Sequence, residues 1–201
     1  MTRSSELFGK IEAALARPGA PSSDFDLNPD TVLPEGRVLR DAAVLILVNN
    51  FGDVPTVTLT KRASGLKHHP GQIAFPGGKR DANDASLEAA ALREAREEIG
   101  LPDRAARIIG TLPSHETVTG FNVTPIVAQL TEAFVPKAEL GEVAEVFEVP
   151  LAHVINSANF VIEGRRWRGA KRYYYTVPFG PYYIWGATAR MLRAFADRLE
   201  T

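Results

Sequence analysis

Between Asp84 and Gly100 the chain commits to a helix, and that helix constrains what the flanking segments can become. Asp84 is read as its N-cap. Ala85 to Ile99 are mostly good helix formers, and Gly100 stands where a left-handed C-terminal residue belongs. Ala91, Leu92, Ala95 and Ile99 line up as an apolar stripe that needs a sheet to lie on. The neighbouring segments supply one. Ala42 to Val48 has the pattern of a buried strand, and Thr56 to Thr60 alternates as a second that pairs with it in a hairpin. Gln72 to Phe75 reads as a short third strand, stopped by Pro76-Gly77-Gly78. Beyond the helix, Arg107 to Leu112 and Val123 to Leu130 are strand-like, and Val143 to Val149 fits helix or strand equally well. Trp167 to Val177 reads as part of a hairpin and Ala187 to Leu199 as a closing amphipathic helix. Strands on both sides of a central helix, with helices at the two ends, predict an α/β fold: a mixed sheet covered by helices.

The first segment, to about residue 17, reads as a short amphipathic helix without the apolar core of a signal peptide. Residues 18–40, with Pro18, Pro21, Pro29 and Pro34, read as an extended connector. The expected division is therefore 1–40, helix and connector, and 41–201, the main domain. With 201 residues and no cysteine, the chain needs no disulfide or structural metal to fold, and thiol catalysis is excluded. Its 23 Lys+Arg against 24 Asp+Glu give a net charge of -1, which disfavours a generic polyanion partner. The longest strongly apolar run, Ala42 to Val48, is too short to cross a bilayer, so a cytoplasmic protein without membrane attachment is expected.

The chemistry is concentrated on the central helix. At 3.6 residues per turn Glu94, Glu97 and Glu98 fall within an arc of about 100°. They border the apolar stripe, at the rim of the core. Converging carboxylates of this kind suit a hard divalent cation such as Mg²⁺ or Mn²⁺, which takes oxygen ligands and leaves room for a phosphate. An arbitrary Glu-rich helix is more often a solvated face. The Phe75-Pro76-Gly77-Gly78 turn just upstream changes that balance, because it lets backbone approach a ligand closely.

Gly77-Gly78, the spacer, and Arg93-Glu94-Ala95-Arg96-Glu97-Glu98-Ile99-Gly100-Leu101 resemble the signature of the Nudix hydrolases. Two departures stand out: the spacer is one residue longer than usual, and its mid-spacer acid is Asp84 instead of Glu. Both are shared by the coenzyme A pyrophosphatase branch. That branch also has an upstream motif, matched here by the stretch from Leu59 through Lys61-Arg62-Ala63-Ser64-Gly65 and His68-His69-Pro70-Gly71 to Gly78. The resemblance implies an α/β/α sandwich with a loop-helix-loop catalytic motif. It implies a Mg²⁺- or Mn²⁺-dependent pyrophosphohydrolase that cuts coenzyme A or its thioesters to 3′,5′-ADP and 4′-phosphopantetheine species. By the same resemblance Glu97 and Glu98 are core metal ligands, and Glu94 is a ligand or a base. The carbonyl of Gly77 or Gly78 completes the site, and Arg93 orients Glu97. Glu142 and Glu145 are candidates for a further carboxylate from outside the helix.

Phosphate contacts are expected from Lys61, Arg62 and Lys67, with Gly77 and Gly78 beside them. His69, at the branch motif's histidine position, is read either as a substrate contact or as a loop-fixing hydrogen-bonder. Arg165, Arg166, Arg168, Lys171 and Arg172 form a basic run, either a solvated hairpin or an anion clamp for the 3′-phosphate. Tyr173, Tyr174 and Tyr175 invite base stacking, although strand alternation buries at least one of them. Phe121, Phe147 and Trp185 are read as packing residues. The alternatives are another nucleoside diphosphate derivative as substrate (ADP-ribose, a dinucleotide, a capped RNA end) or a non-catalytic nucleotide- or RNA-binding module. The partner expected is a small coenzyme A-like nucleotide and not a nucleic acid; a homodimer is compatible with the sequence.

Overall fold

The computed structural model describes residues 3–167 and 169–200. In chain order the elements are α1 (Arg3–Ala16), β1 (Ser22–Ser23), β2 (Arg40–Asn49), β3 (Thr56–Arg62), β4 (Ile73–Ala74) and β5 (Gly77–Lys79). There follow α2 (Leu87–Ile99), β6 (Ala106–Thr111), β7 (His115–Glu116), β8 (Phe121–Leu130) and β9 (Val143–Pro150). The chain closes with α3 (Leu151–Val154), β10 (Val161–Trp167), β11 (Ala170–Thr176) and α4 (Gly186–Glu200). Among the described residues nine strands join one mixed sheet, and β10 and β11 form a separate antiparallel pair.

Alternation along β2 explains the layering. Ala42, Ile46 and Val48 point to one face, where they pack with Phe8 and Ile11 of α1 and Leu192 and Phe195 of α4. Ala43, Leu45 and Leu47 point to the other, against Ala91, Ala95 and Ile99 of α2. Strand β8, parallel to β2, divides its side chains the same way, with Val127 on the α4 side and Ile126 and Ala128 on the α2 side. The result is the predicted α/β/α sandwich, buried on both faces of its central strands. Small alanines on α2 let the helix sit close to the sheet; truncating Leu45, fully buried beneath it, costs about 2–5 kcal/mol.

Several local expectations change. The hairpin of β2 and β3 pairs only beside its turn, Val48 with Val57 and Asn49 with Thr56. Below that point the strands part, because residues 75–77 enter between them. The Leu45 amide donates to Pro76 O at 2.8 Å, and β5 pairs with β2 at Ala42–Val44. The ambiguous stretch after residue 142 is a strand, β9, paired with β3 along its length. The connector is tied down at several points. Strand β1 pairs with β7, and fully buried His115 links Ser22 (Nδ1 to Oγ, 2.9 Å) to Asp24 (Nε2 to Oδ1, 3.1 Å). Farther along, Asn28 exchanges two hydrogen bonds with the Tyr173 backbone, and Asp26 pairs with Arg190.

Candidate active site

Helix α2 starts later than predicted. Its N-cap is Ser86, whose hydroxyl accepts from the Ala89 amide at 3.2 Å. Asp84, read from sequence as the cap, does other work. Its carboxylate accepts the Arg93 guanidinium through Nε (3.0 Å) and Nη2 (3.0 Å), and the Asp81 amide at 2.7 Å. A bidentate guanidinium outcompetes a cap hydrogen bond, which Ser86 supplies instead. The Arg93 bonds, then the Asp81 amide, hold Asp84 down at a pKa of about 2. The helix ends as predicted, with Gly100 at φ 70 and its N–H on the last turn.

Arg93 is the hub. Besides Asp84 it donates through Nη1 to Glu94 (2.9 Å) and Glu97 (3.2 Å), and through Nη2 to the Lys79 carbonyl (3.1 Å). Glu97 remains outside, its side chain 55% exposed, while that of Glu94 is 16% exposed. Glu98 turns the other way and is 4% exposed; its Oε2 accepts the Gly77 amide at 3.0 Å. Burial, outweighing the Gly77 hydrogen bond and aided by the charge of Glu94, pushes Glu98 up to about 7. Burial also raises Glu94, against the opposing pull of Arg93. The three side chains are parted by their hydrogen bonds. The three carboxylates share a helix face, but among the described residues no three acidic, His or Cys side chains are gathered closely enough to hold an ion. Arg93 draws Glu94 and Glu97 to itself, and Glu98 is held by Gly77.

The glycines match the geometry. A Cβ on Gly77 (φ 151) would come within 2.4 Å of the Ala43 carbonyl, and one on Gly78 within 2.6 Å of the Glu94 carboxylate. Only glycine lets this turn run between β2 and the acidic face of α2. The donor set fits a hard divalent cation: oxygen groups alone, with Glu94 lying against the Gly78 backbone, and a bound cation would favour the ionised form of buried Glu98.

The predicted substrate residues separate. Arg62 lies on the α2 side of β3, and its charge reaches Glu98. Alternation turns Lys61 to the opposite face, across from Glu145 of β9, so it is not brought to the carboxylates. Glu145 accepts the Tyr182 hydroxyl there, and Tyr182 stacks on Phe147 with centroids 3.6 Å apart. Glu142, by contrast, is felt by both Glu94 and Glu98. Lys67 is exposed in the loop between β3 and β4. His69, at φ 54 in that loop, hydrogen-bonds Gln72, the loop-fixing arrangement. Burial, then Arg62 and His68, lowers its pKa. Tyr175 packs on the core as alternation required. Of the basic run, Arg165, Arg166, Lys171 and Arg172 lie on β10 and β11, and Arg168 is outside the described residues. Two features escaped the sequence reading. One is Asp84 as partner to Arg93, a contact across a loop that no helical spacing announces. The other is the edge-on meeting of Tyr174 and Trp185, brought together from β11 and the segment before α4.

Residues 38–167 match the model of the NUDIX domain. The chain belongs to the Nudix hydrolase family, pyrophosphohydrolases that use divalent metal ions. Among its relatives is the uncharacterized Nudix hydrolase NudL of Enterobacter sp. (strain 638), 44% identical over 158 residues, covering 78% of this chain and 81% of that protein. The protein of the same name from Salmonella heidelberg (strain SL476) is 41% identical over 174 residues, covering 87% and 90%. Among solved structures, the NUDIX domain of Shewanella oneidensis NrtR, complexed with ADP ribose, superposes with a TM-score of 0.52 over 99% of both chains at 15% identity, a likeness of fold. Among the described residues no helix is long and apolar enough to cross a membrane.

Proposed function

We propose that the chain hydrolyses the diphosphate of coenzyme A or its thioesters, releasing 3′,5′-ADP and 4′-phosphopantetheine species. One observation carries this reading: the segment from Leu59 to Gly78 folds directly onto the acidic helix. It delivers the Gly77 amide and the Arg62 charge to Glu98, and the Gly78 backbone to Glu94. The motif that distinguishes the branch and the motif that defines the family therefore build one site.

In this reading Glu94, Glu97 and Glu98 hold Mg²⁺ or Mn²⁺. When bound, the metal neutralises diphosphate oxygens and acidifies the attacking water. The chain's own residues position and balance charge. Asp84 fixes Arg93, and Arg93 sets Glu94 and Glu97. The Gly77 amide orients Glu98, and Arg62 faces the substrate's negative charge. Of the two carboxylates outside the helix, Glu142 is the one placed to accept the water's proton, since Glu145 is engaged with Tyr182 on the other face. Phosphoryl transfer needs positioning and charge stabilisation, not a covalent nucleophile.

The test is a panel of coenzyme A, acyl-coenzyme A, ADP-ribose, dinucleotides and capped RNA, ranked by kcat/KM with Mg²⁺ or Mn²⁺. Coenzyme A compounds should lead it, and Glu97→Gln should silence every substrate. A different leader moves the assignment to that substrate. Undiminished cleavage by the variant removes the acidic face from catalysis.

A further inference from the structure

Hairpin β10–β11 sets like charges face to face across its strands. Arg165 stands directly opposite Arg172, and Arg166 opposite Lys171. Facing like charges weaken a strand pair. Among the described residues no carboxylate forms an ion pair with Arg165, Arg166 or Lys171. Glu163, the only acid in the hairpin sequence, is already engaged by the Tyr183 hydroxyl at 2.7 Å and by Thr176 at 3.5 Å.

Strand alternation sets Glu163, Arg165, Arg172 and Tyr174 on one face of the hairpin. On that face Tyr174 meets Trp185 edge-on with ring centroids 5.1 Å apart, and Tyr183 lies 6.5 Å from Trp185. These rings are only partly covered; Tyr183 is 43% exposed. Arg172 is held over the Phe25 ring at 5.8 Å. The aromatic group and the Arg165–Arg172 pair are two strand residues apart, about 7 Å, close to the separation of a nucleobase from a phosphate on its ribose. The strip also starts beside the active-site loop. A methyl on Gly186, next to Trp185, would lie 3.9 Å from the Gln72 amide nitrogen, and Gln72 leads directly to Gly77.

We propose that this strip is a subsite for a nucleoside bearing a phosphate outside the diphosphate bridge. The rings of Tyr174, Tyr183 and Trp185 take the base, and the guanidinium groups of Arg165 and Arg172 take the extra phosphate. The inference deepens the proposed function and rests on it for the identity of the substrate.

Calorimetric binding of adenosine 3′,5′-bisphosphate and adenosine 5′-monophosphate to the whole chain tests this without turnover. The wild type should bind the bisphosphate about tenfold tighter or more, as a charge-assisted phosphate contact requires. The double variant Arg165→Gln, Arg172→Gln should lose that preference while keeping its affinity for the monophosphate. Tyr174→Leu should weaken both nucleotides alike, and Tyr174→Phe should weaken neither. Equal affinities in the wild type, or a preference that survives in the double variant, overturn the proposal. Because no cleavage is read, failure to hydrolyse coenzyme A overturns the proposed function and leaves this binding result to be judged by itself.

Discussion

Helix α2 and hairpin β10–β11 both crowd charge, and they resolve it in opposite ways. On α2 the acids are closed by the fold: Arg93 ties Asp84, Glu94 and Glu97, and the Gly77 amide holds Glu98. On the hairpin like faces like across the strands, with Arg165, Arg166 and Lys171 exposed. Charge satisfied within the chain sets geometry, which a catalytic site needs. Like charges set face to face cost stability, and the cost lessens when something of opposite sign arrives. Removing Asp84, the anchor of Arg93, should therefore damage both activity and stability at α2, whereas removing a hairpin cation should relax the fold there.

The largest effect expected is at Glu98. Glu98→Gln keeps the shape and removes the buried charge, and turnover should fall by about 10²–10³-fold or more, the scale of losing one preorganised electrostatic contact. Steady-state kinetics at saturating metal measures it. Next comes Asp84→Asn, which leaves Arg93 without its anchor. A loss of about 10–100-fold in kcat is expected, as for other residues that orient ligands. Destabilisation seen in thermal melts should accompany it. A variant that melts earlier with full kcat would limit Asp84 to a structural role.

The pH dependence of stability separates the two kinds of carboxylate on this helix. Asp84 has its pKa depressed from 3.8 to about 2 by Arg93. The unfolded chain therefore takes up a proton first as pH falls, and stability is lost between about pH 4 and pH 2. Glu98 is raised from 4.5 to about 7, chiefly by burial. In metal-free protein the folded state keeps a proton that the unfolded state has released, so stability falls as pH rises through that window. Asp84→Asn should flatten the acid limb and Glu98→Gln the neutral one. A neutral limb unchanged in Glu98→Gln removes burial of this carboxyl as its source.

The smallest effect is the one most specific to the comparison. Arg165→Gln should raise hairpin stability by a few tenths of a kcal/mol up to about 1, by removing one of two facing cations. It should do so while weakening adenosine 3′,5′-bisphosphate. Loss of stability instead would show that the hairpin's charges are compensated within the fold.

Legibility in the sequence followed the range of the interactions. The α2 stripe, its glycine end and the strands on either side are local patterns, and the sandwich followed from them. The same was true of Glu94, Glu97 and Glu98 sharing a face. The contacts that decide their geometry are not local. Arg93 reaches Asp84 across a loop, and Glu98 reaches Gly77 from another element. The mistaken N-cap at Asp84 traces to the first of these tertiary bonds, which outranks helix periodicity, and the second turns Glu98 away from Glu94 and Glu97. Lys61 misled for a related reason: its neighbour Arg62 shares the motif, but alternation places the two on opposite faces of β3. Of the aromatic strip only Tyr174 was marked for stacking, because Tyr183 and Trp185 join it only after the segment before α4 folds back onto β11.

The central claim is that the acidic face of α2 and the loop from Leu59 to Gly78 form one diphosphate-cleaving site for coenzyme A. The most direct test is cleavage of coenzyme A in oxygen-labelled water with Mg²⁺ or Mn²⁺, read by mass spectrometry. The account predicts adenosine 3′,5′-bisphosphate and 4′-phosphopantetheine, with label on one product's phosphate and no products from Glu98→Gln. Intact coenzyme A with either metal, or equal turnover by the variant, would contradict it.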